Sequence, residues 1–106
     1  MNARRCVPAA LAAFLLSAAG GTSAETIQVQ VKGLAFTPAH VTAHVGDMVE
    51  WINGDFVAHT ATARNGVWDV KLTPHGEGHT QLNGPGDIEY YCRFHPNMKG
   101  MISVAP

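Results

Sequence analysis

Three potential metal ligands lie within seven residues near the C-terminal end of the chain. Cys92, His95 and Met98 supply a thiolate, an imidazole and a thioether at intervals of three residues. Thiolate and thioether are soft ligands, and imidazole binds several late transition metals. One cysteine, one or two histidines and a methionine form the donor set of a trigonal copper site with a weak axial sulfur. The spacing therefore predicts that this loop binds one copper ion, with a second histidine supplied from elsewhere.

Five other histidines could supply the remaining ligand of the predicted copper site. They are His40, His44, His59, His75 and His79. His59 follows a predicted strand and the turn residues 53–55, so we expect it at a strand end near another loop. The first two lie in an alternating predicted strand and the last two flank glycines in a polar loop, so these four are interpreted as exposed. A weaker second metal site on His75 and His79 is an alternative.

Residues 1–24 have the layout of a secretory signal peptide. Arg4 and Arg5 precede an apolar run over residues 9–19, and small residues end at Ala24. The run is about half of the roughly 20 apolar residues that cross a bilayer, which disfavours a membrane anchor. We predict cleavage after Ala24, export to the periplasm and one mature domain, residues 25–106. The adjacent arginines leave twin-arginine export open.

The predicted mature chain contains a single cysteine. Cys6 precedes the apolar run and would leave with the signal peptide, so Cys92 has no intrachain partner for a disulfide. Small exported domains often need a disulfide or a metal, and metal ligation gives a lone thiol a role. Loss of two arginines from a chain of formal charge −1 leaves −3. This mildly acidic balance argues against a nucleic-acid partner.

Short extended segments separated by turn residues predict an all-β fold. Apolar and polar residues alternate over residues 27–31 and 41–45. Further strands are predicted at residues 48–52, 59–62, 67–72, 79–82, 88–92 and 100–104. We expect a Greek-key β-sandwich or barrel of about eight strands with its loops at two ends. The turn before His59 and the loop 94–99 are expected at the same end.

Two segments of the chain resemble the small blue copper proteins, the cupredoxins. They are Val49-Glu50-Trp51-Ile52-Asn53-Gly54-Asp55 leading to His59-Thr60, and Tyr91-Cys92-Arg93-Phe94-His95-Pro96-Asn97-Met98. Within that family the chain is most similar to the amicyanin and plastocyanin group, and the Cys-x-x-His-x-x-Met spacing resembles amicyanin. The resemblance implies one type 1 copper ion with His59, Cys92 and His95 as equatorial ligands and Met98 as the axial ligand.

The chain departs from the family pattern at three positions. Thr60 stands where the family commonly has an asparagine that ties the two ligand loops together, and we expect its hydroxyl to bridge instead. Phe94 stands where a proline is frequent. Met101 is a second thioether, but its spacing fits neither the short-loop nor the long-loop pattern. Met98 is therefore the predicted axial ligand, with Met101 as the alternative.

A site with four protein ligands leaves no open position for a substrate. We therefore predict an electron-transfer protein and no enzyme, cycling Cu(II) and Cu(I) between soluble partners such as a c-type cytochrome or a periplasmic dehydrogenase. A periplasmic copper carrier or storage protein is the alternative function. A structural zinc site, covalent haem or a Cys-His nucleophile is disfavoured by the single mature cysteine and the ligand spacing.

His95 is the predicted electron port. Phe94, Pro96, Val57 and Ala58 are expected to form an apolar collar around its imidazole, suited to weak docking. Core packing is the alternative for Phe94. The predicted mature protein is a monomer without a membrane span.

Overall fold

The computed structural model describes residues 23–106, which form an all-β domain of two facing sheets. Residues 1–22, most of the predicted signal peptide, lie outside the described part. The strands are β1 (Thr26–Lys32), β2 (Ala35–Thr37), β3 (His40–His44), β4 (Met48–Asn53), β5 (His59–Ala63), β6 (Asp69–Leu72), β7 (Glu77–Gln81), β8 (Gly86–Tyr91) and β9 (Lys99–Ala105). The all-β prediction is confirmed, and the described residues contain no helix that could span a membrane.

Alternation of side chains along the strands places the core between the sheets. In β1, Val29 and Val31 are fully buried while Gln28 and Gln30 are exposed. Successive strand residues point to opposite faces of a sheet, so each alternating strand contributes one apolar face. The alternation read from the sequence therefore predicted both the strands and their buried sides.

The strands are ordered β2-β1-β4-β7 in one sheet and β3-β9-β8-β5-β6 in the other. β1 pairs with β4 and β3 pairs with β9 in parallel, while the other neighbours are antiparallel. Parallel neighbours need long connections, so the early strands lie beside strands much later in the chain. In the second sheet β5 and β8 are antiparallel neighbours, and this pairing brings residues near position 59 next to those near position 92.

One strand was not predicted. β2 pairs with β1 through a two-residue turn in which Gly33 and Leu34 both have a φ of 62°. Such a turn matches the twist of a hairpin. The strand has three residues, of which only Phe36 is buried. It is therefore too short to display an alternating pattern, which is why the structure has nine strands and not about eight.

An aromatic cluster joins the two sheets. Trp51 of β4 lies 5.6 Å from Tyr90 of β8 and 6.0 Å from Trp68, measured between ring centroids. Phe36 meets Tyr90 edge to face at 4.7 Å. These separations favour aromatic packing. Burial raises the pKa of Tyr90 to about 12, because the phenolate would lose its hydration in this core.

Gly100 lets β9 pass over the Tyr90 ring. The two residues are direct partners in the β8–β9 ladder. A Cβ added at Gly100 would lie 2.5 Å from the Tyr90 hydroxyl oxygen and would overlap the ring itself. The ring is held in the core and has no room to move away, so this position requires glycine for close packing.

We expect Gly100→Ala to lower the free energy of unfolding by about 1–3 kcal/mol through overpacking against Tyr90. Gly84→Ala is the matched control, because no atom lies within 4 Å of its added Cβ. Denaturant unfolding of the metal-free protein measures both. Equal midpoints for the two variants would show that the β8–β9 contact is not tightly packed.

Candidate metal centre

Three donor atoms converge at the end of the sandwich where β5 begins and β8 ends. The ligating atoms of His59, Cys92 and His95 all lie within 4.8 Å of one another. Cys92 Sγ is 3.7 Å from His59 Nδ1 and 3.8 Å from His95 Nδ1. His59 and Cys92 are fully buried, whereas His95 is half-buried. The structure therefore brings together three of the four predicted ligands, and of these three only His95 reaches the surface.

The loop between β8 and β9 is held by its own backbone. Cys92 N donates to the Met98 carbonyl at 3.1 Å, and Met98 N donates to the His95 carbonyl at 2.8 Å. His95 N donates to the Cys92 carbonyl at 3.3 Å. Tyr91 and Lys99 are the last ladder pair before the loop. Strands at both ends and three internal hydrogen bonds thus keep the side chains of this loop in nearly constant positions.

The two candidate methionines lie in different places. Met98 is 2% exposed and lines an apolar hollow that also includes His95. Met101 lies in β9, where the neighbouring Gly100 and Ile102 face the core. Alternation along the strand therefore turns Met101 to the outer face of the sheet, where it lines a different surface hollow. Met98 thus lies beside His95 and Met101 lies apart from it, and the axial role of Met98 stays a prediction.

A carboxylate orients the buried histidine. His59 Nε2 lies 2.8 Å from Asp55 Oδ2, which leaves Nδ1 turned toward Cys92. A hydrogen bond at one ring nitrogen fixes which nitrogen is available to a metal. Asp55 also accepts from Gly33 N at 3.0 Å. The Gly33 N–H and the His59 side chain together hold the pKa of Asp55 below its ordinary value.

Asn53 stabilises the turn that carries Asp55. Its buried side-chain amide donates to the Val57 carbonyl at 2.9 Å and to the Thr73 carbonyl at 3.0 Å. Its Oδ1 accepts from Asp55 N at 2.9 Å. The sequence analysis identified residues 53–55 only as a turn and missed the role of Asp55. The four-residue spacing from Asp55 to His59 was the one local sign in the sequence that the two residues interact. A spacing does not show which way either side chain points.

Thr60 connects β5 to the ligand loop at two points. Its backbone N–H donates to Cys92 Sγ at 3.3 Å, and its hydroxyl accepts from Arg93 N at 2.9 Å. The expectation that the threonine hydroxyl would bridge the two loops is confirmed by these contacts.

The Thr60 hydroxyl is itself held by a chain of polar groups that ends at the surface. The Thr60 and Thr62 hydroxyl oxygens are 2.9 Å apart, and Thr62 donates to Asp69 Oδ1 at 2.7 Å. A carboxylate only accepts, so the one proton of Thr62 goes to Asp69 and Thr60 supplies the proton between the threonines. Arg93 Nε lies 3.3 Å from the same carboxylate. Thr62 and Arg93 lower the pKa of Asp69.

The donor set fits copper. Atoms separated by 3.7–3.8 Å can share one ion at the roughly 2.0–2.3 Å bond lengths of first-row metals. One thiolate with two imidazoles and a buried thioether nearby is the ligand type of a blue copper centre. Two of the donors are fully buried, which would keep water away from the thiolate side of a bound ion.

The other histidines lie elsewhere on the surface. His40, His44, His75 and His79 are all exposed, as predicted. His75 meets Phe56 edge to face with ring centroids 4.8 Å apart, and His79 Nε2 lies 3.0 Å from Glu50 Oε2. The two residues considered for a second site thus have separate side-chain partners.

Apolar side chains surround the exposed edge of the centre. Phe94 is 47% exposed, so the alternative of core packing is wrong for this residue. Of the other residues of the predicted collar, Val57 and Pro96 are exposed and Ala58 is half-buried. The sequence analysis missed Phe56, which is 85% exposed in the loop before His59, and Leu34, which lines the same hollow as His95. Leu34 comes from the β1–β2 turn, and only the folded chain brings it here.

Comparison with known proteins identifies cupredoxin-like relatives of this chain. A family model described as a cupredoxin-like domain matches residues 5–104. Amicyanin-alpha of Methylorubrum extorquens is 29% identical over 102 residues, which cover 91% of this chain and 86% of that protein. Amicyanin of Paracoccus versutus is 27% identical over 94 residues, or 82% of this chain and 70% of that protein. The crystal structure of Paracoccus versutus amicyanin has the same fold, with a TM-score of 0.66 at 25% identity over 74% of this chain and 80% of that one.

We expect Thr60→Val to lower the free energy of unfolding of the metal-free protein by about 1–3 kcal/mol, because Arg93 N loses its acceptor. Thr60→Ser keeps the hydroxyl and should retain most of the stability. Thr42→Val, at an exposed position of β3, is the matched control. Denaturant titration measures the three variants, and a Thr60→Val protein as stable as the Thr42→Val control would contradict the bridging role.

Proposed function

The chain belongs to the cupredoxin-like domain family, and on that premise we propose that it is an electron-transfer protein with one type 1 copper ion. The proposed ligands are His59, Cys92 and His95, with Met98 in the axial position. Bound copper supplies a one-electron couple between Cu(II) and Cu(I).

One observation carries this proposal. A buried thiol and two imidazole nitrogens from separate parts of the chain lie within 4.8 Å of one another, and one of the imidazoles is half-exposed. Buried donors hold an ion away from water, while the half-exposed ring of His95 offers a short route to a docked partner. With Met98 as the fourth ligand no coordination position remains for a substrate, which supports a carrier and no enzyme.

The protein contributes rigidity to the proposed electron transfer. Cu(I) and Cu(II) prefer different coordination geometries, so a movable ligand set would rearrange each time an electron enters or leaves. The internal hydrogen bonds of loop 92–98 restrain three of the proposed donors. Asp55 and the start of β5 restrain His59. Thr60 N–H donates to the Cys92 sulfur, and hydrogen bonds at that sulfur are one determinant of the reduction potential.

We further propose that the protein works in the periplasm as a monomer after residues 1–24 are removed as a signal peptide. The electron donor and acceptor are proposed to be soluble proteins, such as a c-type cytochrome or a periplasmic dehydrogenase. The exposed apolar collar of Phe94, Pro96 and Val57 around His95 supports transient docking of such partners.

We expect Cu(II) to give the purified protein an intense blue colour that a mild reductant bleaches and an oxidant restores, with copper retained on desalting. A thiolate-to-Cu(II) charge transfer causes the colour, so Cys92→Ser should abolish it while the fold is kept. Visible absorption and far-UV circular dichroism measure the two effects. A colourless Cu(II) complex, or copper lost in each redox cycle, would favour the copper carrier or storage protein instead.

We expect Met98→Gln to keep copper and to lower the reduction potential by at least about 59 mV, a tenfold change in the relative affinity for the two oxidation states. The amide oxygen is a harder donor than a thioether and favours Cu(II). Met101→Gln is the control, because Met101 lies on the outer face of β9. Voltammetry measures both potentials, and the larger shift in Met101→Gln would reverse the axial assignment.

A further inference from the structure

We propose that the end of the molecule that carries His95 docks an acidic redox partner, which is attracted by Lys32, Lys71 and Lys99. This inference rests on the proposed electron-transfer function, and it adds the charge of the partner. The site end is defined here as the turns 33–34 and 54–58, the loops 73–76 and 92–98, and the strand residues that flank them.

Each of these lysines flanks one of the segments that surround the metal centre. Lys32 ends β1, and its aliphatic stem lies over Gly54, with Cδ 3.5 Å from a Cβ placed there. Lys71 is the ladder partner of Thr60. Lys99 follows Met98 directly and pairs with Tyr91. All three are exposed, and among residues 23–106 none makes an ion pair.

The carboxylates at the same end are largely occupied. Asp55 is bound to His59 and to Gly33 N. Asp69 is paired with Arg93 at 3.3 Å. Glu77, at the start of β7, is the third acidic residue of this end. The site end therefore holds four cations, Lys32, Lys71, Arg93 and Lys99, against three carboxylates, and the three lysines are the cations without a partner.

The remainder of the described chain has the opposite balance. It holds five carboxylates, Glu25, Asp47, Glu50, Asp87 and Glu89, and a single arginine, Arg64, which pairs with Glu89. Glu25 and Asp47 meet at the far end, where Glu25 N donates to Asp47 Oδ1. A seven-residue strand such as β1 spans roughly 23 Å, about twice the Debye length of roughly 10 Å at 0.1 M salt. A partner at the site end is therefore screened from the carboxylates of the far end. Two carboxylates of the remainder lie nearer: Glu50 is within 4.8 Å of Glu77 and is hydrogen-bonded to His79, and Glu89 lines the same hollow as Lys99 and is paired with Arg64.

The exposed apolar side chains around His95 and the three lysines beside them together indicate the kind of partner. Phe94 at 47%, Leu34 at 54% and Val57 at 50% exposure provide the dry contact around His95. Unpaired lysines at the rim change the rate of encounter more than the final affinity, because exposed charges steer diffusion. A complementary partner presents carboxylates around an apolar patch over its own redox centre. The protein as a whole is acidic, so net charge alone predicts the opposite preference.

The test uses one redox protein in two charge states. The copper-loaded protein is mixed with mitochondrial cytochrome c, in its native basic form and after succinylation of its lysines to an acidic form. Stopped-flow absorption gives the second-order rate constant of electron exchange from about 50 mM to about 500 mM ionic strength, across which exposed charges become screened. The sign of the salt dependence is the readout, since succinylation also alters the driving force.

The rate with the acidic form should fall as ionic strength rises, and that with the basic form should not. In the variant Lys32→Gln/Lys71→Gln/Lys99→Gln, the rate with the acidic form should drop about tenfold at 50 mM and less than about twofold at 500 mM. Asp87→Asn, a charge change far from the site, is the control and should alter the rate less than about 1.5-fold. Unchanged visible spectra and potentials ensure that the rates report on docking.

Two other results would overturn the inference. If the rate with the acidic form rises with ionic strength, or the triple variant reacts like the unmodified protein, the lysines do not select the partner, although electron transfer itself stands. If the copper-loaded protein exchanges electrons with neither form at any ionic strength, the proposed function fails together with this inference.

Discussion

The structure of the centre depends on one contact, that between the first residues of β5 and the loop after β8. Thr60 N–H meets the Cys92 sulfur at 3.3 Å, and the Thr60 hydroxyl accepts from Arg93 N at 2.9 Å. Because His59 precedes Thr60 and His95 follows Arg93 by two residues, these bonds set the two imidazoles at nearly equal distances from the sulfur. A shift of β5 relative to β8 would separate the donors even if each loop kept its own shape.

The two histidines have similar positions relative to Cys92 and different surroundings. His59 is buried, and its Nε2 is hydrogen-bonded to Asp55. Asn53 Oδ1 accepts from the backbone N–H of Asp55, and Gly33 N donates to the Asp55 carboxylate. His95 is half-exposed among apolar side chains. One imidazole is therefore fixed by the protein interior, while the other is available to a partner. This asymmetry connects the fold to the proposed electron transfer, since a rigid centre needs one exposed edge to exchange electrons.

Local sequence patterns predicted much of the fold and the residues of the site. Alternation located β1, β3 and β4, because each exposes one polar face and buries one apolar face. Alternation did not reveal β2, because its three residues are too few to show a period. It also missed Asp55, Phe56 and Leu34, since neither a hydrogen-bond partner nor an exposed surface can be inferred from residue type alone. The different surroundings of Met98 and Met101 follow from the strand register, which turns Met101 to the outer face.

The sequence by itself determined the chemistry of the site. A thiol, an imidazole and a thioether at three-residue intervals are soft and borderline donors whatever the fold, and their spacing on a short loop limits how far apart they can lie. The sequence also favoured His59 as the second histidine, but only the tertiary structure decided how its ring is oriented and which edge of the centre meets solvent. His59 lies 33 residues from Cys92 in sequence and 3.7 Å away in space. That approach results from strand pairing between β5 and β8, a long-range interaction that no local pattern contains.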